Sequence, residues 1–167
     1  MHNTDIAIEG CEPLARLILP YLYRGYDLEL MIKAATNGEL NLPRQAELAL
    51  AKVGKLKVVS VDCADLSDGS EVKCIGLKEQ KWTDKKSNRP YSRFCYQLVE
   101  KRIKNKTGKL RIIAWNKFLN EFHFFIIPHR LYSKNKHLLI SLNKESKTPI
   151  GKYASFQCST FKELAIR

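Results

Sequence analysis

The chain has 167 residues, a length that fits a single domain with a hydrophobic core of its own. Its 29 lysines and arginines outnumber 17 aspartates and glutamates, which gives a net charge of +12 and favours a polyanionic partner, nucleic acid ahead of a membrane surface. The five cysteines are scattered and include no Cys-x-x-Cys pair, which argues against a zinc knuckle and against a disulfide framework.

The ends and the apolar runs of the chain bear on its location. The N-terminus is polar and lacks the basic region that opens a signal peptide. No apolar run has membrane-spanning length, since a run such as Phe122 to Ile127 is far too short. We therefore expect a cytoplasmic protein with reduced thiols and no membrane contact. For the excess of positive charge, the alternative to a nucleic-acid partner is a basic protein that binds no polyanion.

Three helical segments are predicted in the first third of the chain. Pro20 is expected to break or kink the first, Asp27 to cap the second at its N-terminus, and Gly54 to end the third. The segments are Glu12 to Tyr23, Asp27 to Ala35 and Pro43 to Val53. Either they pack on a sheet or the first two form a dimer interface.

A β-hairpin is predicted directly after the third helix. β-Branched residues are typical of a strand from Leu56 to Leu66, and a second strand is predicted from Glu71 to Lys78. Asp68-Gly69 lies between them and is a strong signal for a two-residue turn. The two strands are therefore expected to pair with each other.

The register of this hairpin decides which acids share a face. With a two-residue turn, Asp62 lies on the same face as Glu71 and Lys73. With a three-residue turn and a left-handed Gly69, Asp65 takes that face instead and pairs with Lys73. In either register two acids and a lysine lie together, a combination that can hold a divalent metal and orient a water molecule.

Asp62 followed by Glu71-Val72-Lys73 resembles the signature of the PD-(D/E)xK nuclease superfamily, and the string from Asp62 to Lys73 is most similar to type II restriction endonucleases. The resemblance covers this segment closely and the rest of the chain in outline. The proline that names the family is absent, since Val61 precedes Asp62, and that position varies widely in the family.

The resemblance implies a fold and a division of the chain. The fold class would be α/β (α+β), with a restriction-endonuclease-like core in which helices flank a mixed central sheet of about five strands. Residues 1–167 would form one nuclease domain, with residues 1–40 as an N-terminal helical segment and residues 43–167 as the catalytic core. Helices followed by several strands agree with this class.

The resemblance also implies a metal site. Asp62 and Glu71 would bind Mg²⁺, which Mn²⁺ can replace, together with the backbone carbonyl of Cys74 or Val72. Family members often carry a glutamate on the helix before the catalytic hairpin, and Glu47 matches that position loosely. The alternative is that Glu47 is a solvated helix residue.

The implied function is a metal-dependent endonuclease. Lys73 would orient or deprotonate the attacking water and stabilise the charge that builds on the scissile phosphate. The substrate would be double-stranded DNA, and the role that of a restriction, homing, repair or resolvase enzyme. The alternatives are an RNA-cleaving nuclease or toxin on the same fold, and a basic nucleic-acid-binding module without catalysis.

One active site per short chain predicts a homodimer on a duplex, with one site for each strand. The helical segments from Glu12 to Ala35 are the predicted interface because they carry apolar stripes. The alternative is that these stripes cover the sheet of their own chain.

A polar, basic loop is predicted from residue 78 to residue 93, where lysines and arginines alternate with aromatic residues. Such residues can contact phosphates and stack on bases, whereas the alternative is a solvated loop. The predicted nucleic-acid contacts are Lys78, Lys81, Trp82, Lys85, Lys86, Arg89, Tyr91 and Arg93.

The remaining elements are predicted from apolar runs and turn residues. A short terminal helix is expected after Ser159 or Thr160. The predicted strands are Phe94 to Ile103, Leu110 to Trp115, Glu121 to Pro128 and His137 to Leu142, and the helix runs from Phe161 to Ile166.

Overall fold

The computed structural model describes residues 12–61, 64–99, 106–116, 121–133, 137–143 and 154–157. Three helices precede the strands. The helices are α1 (Glu12–Leu22), α2 (Leu28–Thr36) and α3 (Leu42–Gly54). The strands are β1 (Val58–Val61), β2 (Ala64–Leu66), β3 (Glu71–Gly76), β4 (Lys78–Thr83), β5 (Pro90–Val99), β6 (Leu110–Asn116), β7 (Glu121–Ile127), β8 (His137–Asn143) and β9 (Ala154–Gln157).

The three predicted helices are confirmed, and local capping explains where two of them begin. The Asp27 carboxylate accepts two backbone N–H groups in the first turn of α2, at 3.1 and 3.3 Å. Asn41 caps α3 in the same way at 3.2 Å. α1 continues past Pro20 to its end, so the expected break is wrong, and Lys55 takes the left-handed cap position (φ 55°) that follows Gly54.

The predicted hairpin between residues 56–66 and 71–78 is wrong. The first of these segments folds back on itself, so that β1 and β2 pair antiparallel with Val58 opposite Leu66. β3 instead pairs parallel with β6, with Glu71 opposite Leu110. The backbone N–H groups of residues 65 and 66 both bond to the carbonyl of Ser70, which links β2 to the start of β3 without a ladder.

The sheets confirm a mixed α/β class. Among the described residues, the mixed sheet has four strands in the order β3-β6-β7-β9, with β3 and β6 parallel and the other pairs antiparallel. A second, antiparallel sheet has the order β4-β5-β8. A restriction-endonuclease-like core stays a prediction.

The mixed sheet lies between two hydrophobic cores. Alternate residues of its strands, such as Cys74, Ile113 and Phe124, pack with the helices in the first core. The other face, with Ile75 and Phe125, packs against residues of the β4-β5-β8 sheet in the second core. The apolar stripe of α1 is buried in the first core, as the alternative to a dimer interface predicts. No described helix is long and apolar enough to cross a membrane.

The predicted loop at residues 78–93 is also wrong, because these residues form the β4-β5 hairpin. Six residue pairs join the strands, from Lys78 opposite Cys95 to Thr83 opposite Pro90. In the turn, the Asp84 carboxylate accepts the backbone N–H groups of residues 86 and 87, and Asn88 takes a left-handed conformation (φ 56°). The polar sequence therefore reflects solvent exposure of a two-stranded ribbon and not a lack of strands.

Some predicted elements lie outside the described residues. They include Asp62 with Cys63, the end of the strand predicted to reach Ile103, and the terminal helix from Phe161 to Ile166. β9 is a strand that was not predicted.

Gly108 packs against the turn that leads into β3, which gives a test of this arrangement. A Cβ atom added at Gly108 would lie 2.1 Å from the backbone oxygen of Gly69. Gly108→Ala should therefore lower the free energy of unfolding in urea by about 1–3 kcal/mol, as overpacking typically does.

Gly54→Ala is the matched control, because its added methyl group would meet only the flexible side chain of Leu56, at 3.2 Å. Its effect on the free energy of unfolding should be much smaller. Equal losses in both variants would show that Gly108 does not lie against the Gly69 turn.

Candidate active site

Asp65 reaches the start of β3 through a hydrogen bond to its backbone. Asp65 Oδ2 accepts the Val72 N–H at 2.8 Å. β3 is an edge strand of the mixed sheet, so this N–H points away from the β6 ladder and towards β2. Gly69 is left-handed (φ 86°), but the hairpin with a three-residue turn, in which Asp65 was predicted to replace Asp62 and to pair with Lys73, does not form. Asp62 lies outside the described residues.

Glu71 and Lys73 lie on one face of β3, as predicted from their spacing. Both are buried, at 6% and 7% exposure. The ammonium group of Lys73 is 3.4 Å from Glu71 Oε1, and that of Lys106 is 3.1 Å from Glu71 Oε2. Two cations therefore offset one buried carboxylate.

The pKa of the Glu71 carboxyl is raised above its ordinary value. Burial is the largest cause and the charge of Asp65 the next, while Lys73 and Lys106 act in the opposite direction. The net direction shows that desolvation and carboxylate repulsion outweigh the two lysines at this position.

Glu47 joins the same group of acids from α3. Burial and then the charge of Asp65 raise the pKa of the Glu47 carboxyl, and Glu71 adds a smaller increase. A salt bridge of 3.0 Å to Arg44 lowers it in part. The structure thus brings Glu47 within electrostatic range of Asp65 and Glu71, in agreement with the loose match in sequence.

Two further residues, Lys106 and Tyr132, lie at this site and were not predicted from the sequence. Lys106 approaches Glu71 because the parallel pairing of β3 with β6 places the segment before β6 beside the start of β3. Tyr132 donates a hydrogen bond from its hydroxyl to the Gly108 carbonyl. Burial, and then the charge of Glu71, raise the pKa of that hydroxyl. No local sequence signal predicts either contact, since both depend on non-local pairing.

A second set of polar contacts fixes the turn before β3. Arg111 donates to Ser70 Oγ at 2.9 Å and contacts Asp68 Oδ2 at 3.0 Å. Burial raises the pKa of the Asp68 carboxyl, but its hydrogen bonds with Ser70 and Arg111 outweigh burial and leave that pKa lowered. Asp68 therefore acts as an ionised anchor of the turn and not as a member of the buried acid group.

The carboxylate oxygens of Asp65 and Glu71 are the kind of ligand that a hard divalent cation prefers. They do not form a complete set of metal ligands by themselves. Among the described residues, no three Asp, Glu, His or Cys side chains converge closely enough to hold a metal ion. Mg²⁺ keeps several waters and commonly takes only one or two carboxylates, and Asp65 and Glu71 can supply these. The carbonyl of Val72 or Cys74 stays a predicted ligand.

The predicted nucleic-acid residues lie apart from this acid group, on the β4-β5 hairpin. All the lysines among them and Arg89 are exposed, and Tyr91 and Arg93 are half-buried. The Arg93 guanidinium lies over the Tyr91 ring, 5.1 Å from its centroid. Trp82 pairs through its backbone with Tyr91 in the β4-β5 register.

Comparison with known proteins finds no family model, no curated protein and no solved structure that matches this chain. The candidate site therefore depends on the chemistry and geometry of its own residues.

Glu47 gives a test of the cost of a buried carboxylate beside other acids, since burial and then the charge of Asp65 raise the pKa of its carboxyl. A raised pKa means that the folded protein holds this proton more tightly than the unfolded chain does, so stability falls as the pH rises from the ordinary pKa through the raised one. Glu47→Gln removes this loss. Without divalent metal, the variant should gain unfolding free energy relative to wild type at about pH 8, and less or none at about pH 4.

Glu39→Gln is the control, because it also removes one carboxylate, from an exposed side chain in the turn after α2. It measures the effect of net charge. If Glu47→Gln shows the same stability difference from wild type at both pH values, a raised pKa of the Glu47 carboxyl from burial and neighbouring acids is excluded.

Proposed function

We propose that this protein is a Mg²⁺-dependent endonuclease that hydrolyses phosphodiester bonds of DNA, of the restriction type or a related homing, repair or resolvase type. The observation that carries the proposal is the proximity of Asp65, Glu71 and Lys73 at the start of β3. Two acids and a lysine beside each other, largely buried, are costly for folding and are typical of a catalytic site. The resemblance to the PD-(D/E)xK signature supports the same chemistry.

The residues have distinct roles in this proposal. Asp65 and Glu71 hold the cation, and Asp65 is kept in place by its hydrogen bond from the Val72 N–H. When bound, Mg²⁺ supplies charge neutralisation at the phosphate and a lower pKa for its water. Lys73 stabilises negative charge on the phosphate and orients the attacking water.

Two further residues adjust the charge of the site. Lys106 contacts Glu71 and would add positive charge beside the scissile phosphate. Glu47 adds negative charge from α3 and serves as a further ligand position for the cation.

A homodimer on duplex DNA is part of the proposal. α1 buries its apolar stripe within its own chain, so an interface there would use the apolar side chains that remain exposed. Tyr26 and Leu30 are the main ones in this region, at 67% and 64% exposure. Two copies would place one site on each strand of a palindromic duplex.

The stoichiometry is measurable by sedimentation of the Asp65→Asn protein with a short palindromic duplex. Two chains per duplex are expected, and Tyr26→Ser with Leu30→Ser should reduce this to one chain. One chain per duplex without these substitutions would exclude the dimer.

The site itself is tested by plasmid cleavage with Mg²⁺ and with EDTA. Asp65→Asn keeps an oxygen for the Val72 N–H but loses the charge, and Lys73→Met removes the ammonium group at similar length. Each should lower the cleavage rate by about a hundredfold or more, as losses of transition-state stabilisation do.

Asp62→Asn is the matched control, since Asp62 is the rival acid in sequence. Retained cleavage in Asp62→Asn with loss in Asp65→Asn assigns the site to Asp65, and the reverse pattern assigns it to Asp62. Cleavage of RNA instead of DNA would favour the RNA nuclease. Metal-independent binding without cleavage of either would leave a basic binding module.

A further inference from the structure

The β4-β5 ribbon, defined as residues 78–93, concentrates positive charge on a projecting element. It contains six lysines and arginines and two acidic residues. Its turn, residues 84–89, is exposed throughout. One of the two acids, Asp84, is engaged by backbone N–H groups inside the turn. The outer surface of the ribbon is therefore cationic.

The outer half of the ribbon is paired only with itself among the described strands. The described part of β8 pairs with β5 from Arg93 to Val99. Beyond that point the ladder continues between β4 and β5 alone, from Lys81 opposite Ser92 to Thr83 opposite Pro90. Three residue pairs and the turn thus extend past the three-stranded sheet.

The dimensions of this extension match one groove of B-form DNA. Paired strands lie about 4.8 Å apart, so a two-stranded ribbon with its side chains fits a major groove about 12 Å wide but not a minor groove about 6 Å wide. The major groove of A-form RNA is deep and narrow, and protein side chains cannot read it.

We propose that the β4-β5 ribbon enters the major groove of duplex DNA. The inference rests on the proposed function for its ligand, nucleic acid, but not on cleavage. Lys81, Lys85 and Lys86 would neutralise phosphates along the groove.

A cavity on the ribbon adds a contact for the DNA backbone. It is open, has a volume of about 340 Å³, and is lined by Asp84, Ser87, Arg89, Pro90, Tyr91 and Arg93. The guanidinium groups of Arg89 and Arg93 and the hydroxyls of Ser87 and Tyr91 are donors suited to a phosphate oxygen. The contact of Arg93 with the Tyr91 ring places one of these cations against a rigid surface.

The ribbon begins at the end of β3 that is remote from Glu71. β3 extends over the six residues from Glu71 to Gly76, which is about 17 Å at 3.3 Å per residue. The ribbon and the acid group therefore lie at opposite ends of β3. Substitutions in the ribbon can change DNA binding without a change in the acid group.

The experiment measures binding in the Asp65→Asn background, so that cleavage does not interfere. Fluorescence anisotropy follows a DNA duplex of about two helical turns, the RNA duplex of the same sequence, and single-stranded DNA. The ribbon variant is Lys81→Gln, Lys85→Gln and Lys86→Gln. The control removes the same charge from exposed positions of the helical layer, through Arg24→Gln, Lys33→Gln and Lys55→Asn.

The expected result is a preference for duplex DNA that the ribbon variant loses by about tenfold or more, with a salt slope lower by about three, whereas the control changes much less. Methyl green, which occupies the major groove, should displace the protein, and netropsin, which occupies the minor groove, should not. Equal losses in both variants, equal binding of the RNA duplex, or displacement by netropsin alone would overturn the proposal.

These outcomes are distinguishable from failure of the proposed function. Major-groove binding without metal-dependent cleavage by the wild type would uphold the ribbon and refute the nuclease. Metal-dependent cleavage by the wild type, together with equal losses of DNA binding in the ribbon and control variants, would uphold the nuclease and refute the ribbon.

Discussion

The burial of Glu71 beside Asp65 is the constraint on which the candidate site depends. Burial and the neighbouring carboxylate both disfavour the charge of Glu71, and the raised pKa shows that Lys73 and Lys106 offset this only in part. Apolar residues of similar volume would often make such a position as stable or more stable. The arrangement therefore lowers the stability of the fold, which is typical of residues kept for a function. A bound cation would reduce the repulsion between the carboxylates.

Backbone pairing sets this arrangement. The parallel ladder between β3 and β6 fixes Glu71 opposite Leu110 and brings Lys106 and Gly108 to the same end of the sheet. The free edge of β3 then offers the Val72 N–H to Asp65. Asp65, Glu71 and Lys73 thus lie on strands, which favours a preorganised site.

The sequence predicted the elements whose signals are local. Asp27 caps α2 because its carboxylate reaches N–H groups only two and three residues away, and the strand at Glu121–Ile127 follows from one apolar run. The prediction of a hairpin was wrong because Asp68-Gly69 indicates a turn but does not specify the strand with which β3 pairs. The partner, β6, is about forty residues away in sequence, and no local pattern reports it.

The candidate site could likewise be predicted where its signals are local in sequence and not where it depends on long-range pairing. The spacing of Glu71 and Lys73 was enough to place them on one face, because strand periodicity is local. The choice between Asp62 and Asp65 depended on the predicted hairpin, which does not form; of the two acids the structure describes only Asp65, whose carboxylate accepts the Val72 N–H. The basic ribbon was predicted as a loop because exposed strands are polar on both faces, which removes the alternation that marks a half-buried strand.

The most direct test of the metal site is a Mn²⁺ titration followed by electron paramagnetic resonance, with wild type and Asp65→Asn compared at the same protein concentration. The site predicts bound Mn²⁺ in the wild type that Mg²⁺ displaces, and a large loss of that binding in Asp65→Asn while the folded structure is retained. Equal Mn²⁺ binding by the two proteins, or none by the wild type, would contradict a metal site at Asp65 and Glu71.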